Sequence, residues 1–212
     1  MARSKGQKTN KYKYVKFYEN VSVMTQCAQS HLTVSPPHIT NVKCHFKVRH
    51  SVQALKNLAV TAERQVGKKF HNFYVLREKK LVFIVFPTGC HINVSGIKGL
   101  GPEIESAKKL FCDLISKKSE DIPVVVDNIT AVCSVNSPSL NLARLKERVE
   151  TTTHKKTTVS LRPYSFPSAV LRSKNSPTLQ VFSSGKVVIV GGRTREEIQS
   201  ACNSLCAFIR LL

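Results

Sequence analysis

An internal repeat constrains the possible folds of this chain more than any other sequence feature. Two phenylalanines and two glycines of the first half recur 96 positions later. The matched pairs are Phe70 and Phe166, Phe86 and Phe182, Gly89 and Gly185, and Gly96 and Gly192. Upstream, ITNVKCHF resembles VDNITAVC, with Asn41 and Asn128 offset by 87 positions. Such self-similarity predicts two copies of one supersecondary unit that fold against each other.

The first two elements of each copy are predicted to be a short strand and a helix. The strand carries Asn41 in the first copy and Asn128 in the second. A following helix is indicated by apolar residues at helical spacing, with Ser51 as its N-cap in the first copy. In the second copy the helix begins at Ser137-Pro138, because proline is tolerated in a first turn. The predicted buried stripes are Val52, Leu55, Ala59 and Ala62, and Leu140, Leu142, Leu145 and Val149.

A group of strands and a closing helix complete each copy. The strands are FHNFYVLRE and KLVFIVFPTGCHINVSG, then FPSAVLRS and TLQVFSSGKVVIVGG, with PTG and SSG as hairpin tips. The first closing helix begins at Pro102, and in the second Thr194 and Glu197 form a capping box. The predicted buried faces are Ile104, Ala107, Phe111 and Leu114, and Ile198, Cys202, Leu205 and Ile209.

These elements predict an α+β fold with three regions. Residues 1–34 mix Lys, Tyr, Ser, Thr and Gln without a sustained period, which is typical of a basic flexible tail. Residues 35–120 form the first repeat and residues 121–212 the second, within one domain over 35–212. The two halves are expected to be mostly antiparallel, with four helices available to cover one side of the sheet.

The central strands indicate that the other face of the sheet is a binding surface. A half-solvated antiparallel strand alternates apolar and polar residues, but LVFIVF and KVVIV do not alternate. Either these strands are buried on both sides, or their outer face is apolar. Four helices are few for covering both faces of such a sheet, which favours an apolar binding face.

The charge of the chain favours a polyanionic partner. Lys and Arg outnumber Asp and Glu by 33 to 13, which gives a formal net charge of +20. Charge alone leaves DNA, RNA and acidic membrane surfaces open. A basic sheet face with apolar and aromatic side chains fits the DNA minor groove, where phenylalanines can insert between base steps. The basic start of the chain is followed by no apolar signal-peptide region, and no apolar run is long enough for a membrane span. Neither secretion nor membrane insertion is therefore expected.

From about residue 36 to 212, the chain resembles the TATA-box-binding protein family. The resemblance is strongest in VFSSGKVVIVGGRTREEI and weaker in FIVFPTGCHINVSGIK. It implies an α+β fold in the form of a pseudo-symmetric saddle, in which a curved antiparallel sheet of about ten strands carries four helices on its convex face. It also implies a transcription initiation factor that binds and kinks promoter DNA through the minor groove and nucleates assembly of the preinitiation complex. The implied partners are double-stranded promoter DNA and general transcription factors or RNA polymerase machinery. A nuclear location, or a viral transcription site for a viral protein, is expected.

The resemblance also assigns roles to individual residues. Phenylalanines that kink DNA would be Phe70, Phe86, Phe166 and Phe182, and asparagines at base edges would be Asn41 and Asn128. Cations beside the sugar-phosphate backbone would be Lys69, Lys98, Arg172, Lys186 and Arg193.

Three departures from the family pattern keep an alternative open. Lys43 and Thr130 stand where the family has small apolar groups, and Val190 stands where it has a threonine. These departures favour a protein of the same fold that joins a transcription assembly without TATA preference. A second alternative is a non-catalytic half of a DNA-repair enzyme, since the same fold occurs in some DNA glycosylases.

Enzymatic activity, a cofactor and a small-molecule substrate are not expected. The acidic residues are dispersed, and the neighbours Cys44 and His45 would point to opposite faces of a strand. The seven cysteines show no CxxC spacing, so neither a zinc ribbon nor a disulfide framework is indicated. Cys202 and Cys206 share a predicted core face, where a metal site is not expected.

Overall fold

A computed structural model describes residues 32–49, 63–65, 73–86, 90–119, 121–154, 156–210 and 212. Most of the predicted tail and the predicted helix over 51–62 lie outside these residues. The last predicted tail residue, Val34, is buried and forms an isolated β-bridge with Val135. None of the helices in the described residues is long and apolar enough to cross a membrane.

Ten strands form a single antiparallel sheet, in agreement with the predicted number. They are β1 (His38–Lys47), β2 (Glu63–Gln65), β3 (Phe73–Glu78), β4 (Leu81–Phe86), β5 (His91–Ile97), β6 (Val124–Ser134), β7 (Thr157–Arg162), β8 (Phe166–Ser173), β9 (Thr178–Phe182) and β10 (Lys186–Gly192). Their order is β2-β3-β4-β5-β1-β6-β10-β9-β8-β7. Because the two halves of this order are mirrored, the predicted repeat is visible in the topology itself.

The pairing of β1 with β6 sets the centre of the pseudo-symmetry. Asn41 lies opposite Thr130, and Lys43 lies opposite Asn128. The offset of 87 that relates Asn41 to Asn128 also relates Lys43 to Thr130, so the pseudo-symmetry maps one of these cross-strand pairs onto the other. The predicted offset is therefore the one that the pairing register requires.

Three helices lie within the described residues, compared with four predicted for the whole chain. They are α1 (Pro102–Leu114), α2 (Leu142–Thr152) and α3 (Arg195–Ile209). At α3 the predicted cap is confirmed, because the Thr194 side chain accepts a hydrogen bond from the Glu197 N–H at 3.2 Å. The Glu197 carboxylate accepts from the Arg193 N–H at 2.8 Å, one residue before the cap. The predicted buried face of α3 is buried.

Two helix predictions need correction. The second-half helix does not begin at Ser137-Pro138, because Asn141 is its N-cap and accepts from the Arg144 N–H at 2.9 Å. The segment before it is held against a hairpin instead, with the Leu140 N–H donating to the Ser183 carbonyl at 2.8 Å. In α1, Leu114 is exposed, and Ile115 after the helix is buried in its place.

One hydrophobic core lies between the helices and one face of the sheet. Buried residues of α1, α2 and α3 join buried residues of the strands, such as Phe83 in β4 and Ile189 in β10, in a single cluster. Strand residues that alternate with these core residues are half-buried or exposed. We call the face of the sheet opposite α1–α3 the open face.

Glycine bulges at equivalent places bend both halves of the sheet. The register of β10 on β6 shifts between Val190 and Gly192, and that of β5 on β1 shifts before Ile97. Gly96 and Gly191 lie at these shifts with φ of 93° and 97°, a conformation that favours glycine. The sequence prediction paired Gly96 with Gly192. The shared backbone conformation pairs it with Gly191, because the hairpin before β5 is one residue longer than that before β10.

Candidate nucleic-acid interface

Apolar side chains cover much of the open face on both sides of its centre. In β4, Val82 and Ile84 are half-buried while their neighbour Phe83 is fully buried against the helices. In β10, Val188 and Val190 are half-buried in the same way. The runs that did not alternate in sequence thus face the core on one side and, on the other, a surface that none of the described helices covers. Of the two arrangements that the sequence left open, the structure has the apolar outer face, and its role in binding stays a prediction.

An aromatic pair lies at the outer end of the second half. The rings of Phe166 and Phe182 meet edge to face with centroids 6.1 Å apart. Phe166 is 41% exposed, although phenylalanine is more often buried. Ser168 lies opposite Phe182 and is 1% exposed, and its hydroxyl has no hydrogen-bond partner in the described part of the chain. The two predicted phenylalanines of this half therefore form one unit at the edge of the open face.

A similar aromatic pair lies at the outer end of the first half, with one unexpected member. Phe86 is paired with Phe73, and the ring centroids are 6.0 Å apart. Phe70, the predicted partner of Phe86, lies outside the described residues. The register of the hairpin could have predicted Phe73. Because Glu78 lies opposite Leu81, residue 73 falls opposite residue 86.

The two asparagines lie at the centre of the open face as diagonal neighbours. The Gly96 N–H donates to Asn41 Oδ1 at 2.8 Å. Because a backbone N–H is only a donor, this bond fixes the amide orientation and leaves Nδ2 as the donor of the side chain. The Asn128 Nδ2 donates to Thr130 Oγ1 at 3.3 Å, so this amide is partly used within the protein. Sequence equivalence therefore does not make the two asparagines chemically equivalent.

Predicted backbone-contacting cations flank the open face. Arg172 in β8 and Lys186 in β10 alternate with core residues and are exposed. Lys98 and Arg193 are exposed just after β5 and β10. No carboxylate of a described residue forms an ion pair with any of these four side chains. Lys69 lies outside the described residues.

Further cations on the open face were not predicted. Lys43 and Lys47 in β1 and Arg77 in β3 are exposed at positions that alternate with core residues. The alternation of each strand was the signal that could have found them. They extend the positive charge from the edges of the open face to its centre.

The first half of the open face contains a polar group that has no counterpart in the second. His45 Nδ1 lies 2.7 Å from Asp127 Oδ1, with the two side chains 28% and 31% exposed. The His45 ring is 5.7 Å from that of His91. Asn93 lies opposite His45 on the neighbouring strand. The sequence prediction assigned no role to these residues.

The cysteines do not form a reactive site in the described residues. Burial raises the pKa of the Cys44 thiol to about 12, and Cys44 lies on the core face while His45 lies on the open face. In the core, a hydrogen bond to Cys202 raises the pKa of Cys133 and lowers that of Cys202. No group of three or more His, Cys, Asp or Glu residues in the described part of the chain could hold a metal ion.

Comparison with known proteins gives matches by sequence and by structure. Residues 123–212 match the family model described as transcription factor TFIID or TATA-binding protein. The chain is 32% identical over 136 residues to TATA-box-binding protein from Picrophilus torridus, which covers 60% of this chain and 68% of that protein. It is also 32% identical over 136 residues to TATA-box-binding protein from Thermoplasma acidophilum, with the same coverage.

The fold is similar to that of a solved archaeal structure. Methanococcus jannaschii TBP superimposes with a TM-score of 0.64 and covers 83% of this chain and 99% of its own, at 20% identity. At this identity the likeness concerns the fold alone. It supports the saddle architecture expected from the sequence.

Proposed function

The chain belongs to the TATA-box-binding protein family, and from this premise we propose that it is a transcription initiation factor that binds promoter DNA. In this proposal the open face lies in the minor groove, the aromatic pairs kink the duplex, and the bound protein nucleates assembly of the transcription machinery. The observation that carries the proposal is the presence of an aromatic pair toward each end of one apolar, basic sheet face.

The aromatic pairs fit the kinking role because they are placed where a bend would have to begin. Phe73 with Phe86 and Phe166 with Phe182 lie at opposite ends of the strand order. A phenylalanine edge inserted between base pairs unstacks one step and bends the DNA away from the protein. Bending a site of this size costs about 1–6 kcal/mol, which the contact area of the open face would offset.

The centre of the open face fits the groove floor. A·T base pairs present only acceptors there, at adenine N3 and thymine O2. The Asn41 Nδ2 is a donor of fixed orientation, and Val188 and Val190 offer apolar contact surface on β10, across β6 from Asn41. This combination supports binding to A·T-rich DNA.

The cations fit the sugar-phosphate backbone. Arg172 and Lys186 are exposed and have no ion pair with a carboxylate of a described residue. Phosphate contacts of this kind supply sequence-independent affinity and position the protein along the duplex. The location, a nucleus or a viral transcription site, stays a prediction.

One observation favours a second candidate function. Lys43 is exposed at the centre of the open face, opposite Asn128. A flexible cation at this position can bind any backbone and does not read bases. An interaction protein of a transcription assembly, without TATA preference, would fit such a centre.

A bending assay tests the proposal and separates the two candidates. A TATA duplex and a scrambled duplex of equal composition carry a donor and an acceptor fluorophore at their ends, and energy transfer reports bending. We expect the full chain to bend the TATA duplex, and the variant F86A/F182A to lose the bending. Equal binding to both duplexes without bending would contradict the initiation-factor proposal and support the second candidate.

Leu114→Ala is the matched control for the aromatic variant. Leu114 is a large apolar side chain like Phe86 and Phe182, but it is 40% exposed on α1, on the other side of the sheet. We expect this variant to bend the TATA duplex like the unmodified chain.

A further inference from the structure

The two halves of the open face differ in chemistry at equivalent positions. In the first half, Ile84, Asn93, His45 and Val125 follow one another across neighbouring strands. The equivalent row of the second half consists of Gln180, Val188, Val132 and His38. At the two inner positions the first half therefore has Asn93 and His45, where the second half has Val188 and Val132.

The offsets of the repeat establish this equivalence. His45 and Val132 differ by the 87 positions that relate Asn41 to Asn128. Asn93 and Val188 differ by the 95 positions that relate the glycine bulges Gly96 and Gly191. The difference is thus one of side chains on a shared backbone frame.

Asp127 orients the His45 ring so that the first half of the open face presents hydrogen-bond acceptors. A carboxylate only accepts, so the His45 Nδ1 that faces it at 2.7 Å carries the proton. In the neutral ring, Nε2 is then an acceptor. Asp127 occupies the bulged position that Thr40 occupies in β1, where Thr40 donates to the Thr130 carbonyl instead. A carboxylate on the open face is also unexpected if charge attraction to DNA were its only role.

In the minor groove, a G·C pair differs from an A·T pair by one additional hydrogen-bond donor. G·C pairs add the guanine N2 amine to the acceptors that A·T pairs present. Against two valines, this amine would be buried without a partner, which is costly. Against His45 Nε2, Asn93 Oδ1 or an Asp127 oxygen, it would find an acceptor.

We infer that the two halves of the open face accept different base pairs, with the second half restricted to A·T and the first half also accepting G·C. The inference rests on the proposed function, because it assigns specificity to the same groove-binding surface. It predicts an asymmetric site, which would orient this pseudo-symmetric protein in one direction along the DNA.

Three duplexes test the inference. One contains a palindromic A·T site, one has a single G·C pair in one half-site, and one has a G·C pair in both half-sites. Because the all-A·T site is palindromic, the protein can turn to place a single G·C pair under its first half. We expect the single substitution to weaken binding by no more than about threefold and the double substitution by at least about tenfold, the cost of one mismatched pair.

Exchanging residues between the repeats provides the decisive variants. In H45V/N93V/D127T, each residue is replaced by the one at its equivalent position. Val132 is equivalent to His45, Val188 to Asn93, and Thr40 in β1 to Asp127. We expect it to bind the single-G·C duplex at least about tenfold more weakly than the all-A·T duplex. The reverse variant, V132H/V188N, should bind the double-G·C duplex more tightly than the unmodified chain does.

Asn203→Val is the control, because Asn203 is exposed on α3 away from the open face. The free energy of unfolding of each variant separates loss of fold from loss of contact. The inference is overturned if the unmodified chain loses as much affinity at the first G·C pair as at the second, or if H45V/N93V/D127T keeps the original preference. If bending of the A·T duplex persists in either case, the proposed function stands. If no duplex is bound and bent, the proposed function fails and the inference fails with it.

Discussion

One hydrogen bond within the protein determines which atom of the Asn41 amide is available to a ligand. The Gly96 N–H fixes Oδ1 inward at 2.8 Å, so the donor Nδ2 is left for a ligand. Replacing the amide by a carboxylate keeps an acceptor for Gly96 but removes the donor and adds a negative charge. This substitution therefore tests the role of one atom with little change in shape.

We predict that Asn41→Asp weakens binding of an A·T duplex at least about tenfold, because acceptors on the groove floor would face a carboxylate. Fluorescence anisotropy at fixed salt measures the change. Asn203→Asp, on the exposed side of α3, adds the same charge elsewhere and should have a much smaller effect. Equal losses in the two variants would mean that only net charge matters.

Ser168 presents the opposite case, a polar atom without a partner. Its hydroxyl is buried beside the Phe166–Phe182 pair and has no hydrogen bond in the described structure. Burying an unpaired hydroxyl is costly. We predict that Ser168→Ala raises the free energy of unfolding by about 1 kcal/mol, measured by denaturant titration.

Ser173→Ala is the comparison for this prediction. The Ser173 hydroxyl is hydrogen-bonded to Thr157 Oγ1 at 2.7 Å, and Thr157 is buried. Its removal should lower the free energy of unfolding by about 1 kcal/mol. The same sign for both variants would contradict the assignment of Ser168 as unpaired.

Among the structural elements, the two glycine bulges form a matched pair that differs in its surroundings. A Cβ at Gly96 would lie 2.1 Å from the Lys80 carbonyl oxygen, whereas a Cβ at Gly191 would meet nothing within 4 Å. Both glycines have positive φ. Gly191→Ala should therefore cost only the backbone strain, about 1–2 kcal/mol.

We predict that Gly96→Ala lowers the free energy of unfolding by clearly more than Gly191→Ala does, because the hairpin of β3 and β4 must also move. The same shift would disturb the N–H that holds Asn41, so duplex binding should fall more as well. Denaturant titration and anisotropy on both variants check this. Equal destabilisation would show that Lys80 moves aside without cost.

Much of the element order was predictable, and the misses have local physical causes. Local patterns indicated eight of the ten strands and the α3 cap at Thr194, whereas the edge strands β2 and β7 were not located. The start of α2 was missed because Asn141 is a better N-cap than the preceding Ser-Pro pair, whose segment contacts a distant hairpin.

Parts of the site depended on register rather than on residue type. Phe73 was missed because an offset taken from Phe166 selected Phe70, and only the hairpin pairing brings Phe73 to Phe86. The His45–Asp127 pair joins residues 82 positions apart and follows from the register of β1 on β6. A sequence pattern alone gives no sign of such a contact.

Over the whole molecule, the formal net charge of +20 makes binding to any polyanion salt-dependent. A groove-binding saddle differs from a merely basic protein in which of its cations contact phosphates and thereby release counterions from the DNA. If the open face is the interface, Arg172 and Lys186 contact phosphates, whereas Lys109 on α1 and Lys146 on α2 lie on the other side of the sheet, away from the DNA.

We predict that R172A/K186A reduces the slope of log K against log salt concentration by about 1.8, because each lost phosphate contact removes about 0.9 from the slope for B-form DNA. K109A/K146A removes the same charge from the opposite side of the sheet and should leave the slope nearly unchanged. The slopes are measured by anisotropy on the TATA duplex across a salt series. Equal reductions by the two variants would mean that DNA meets the whole charged surface, and the groove-bound orientation would then be wrong.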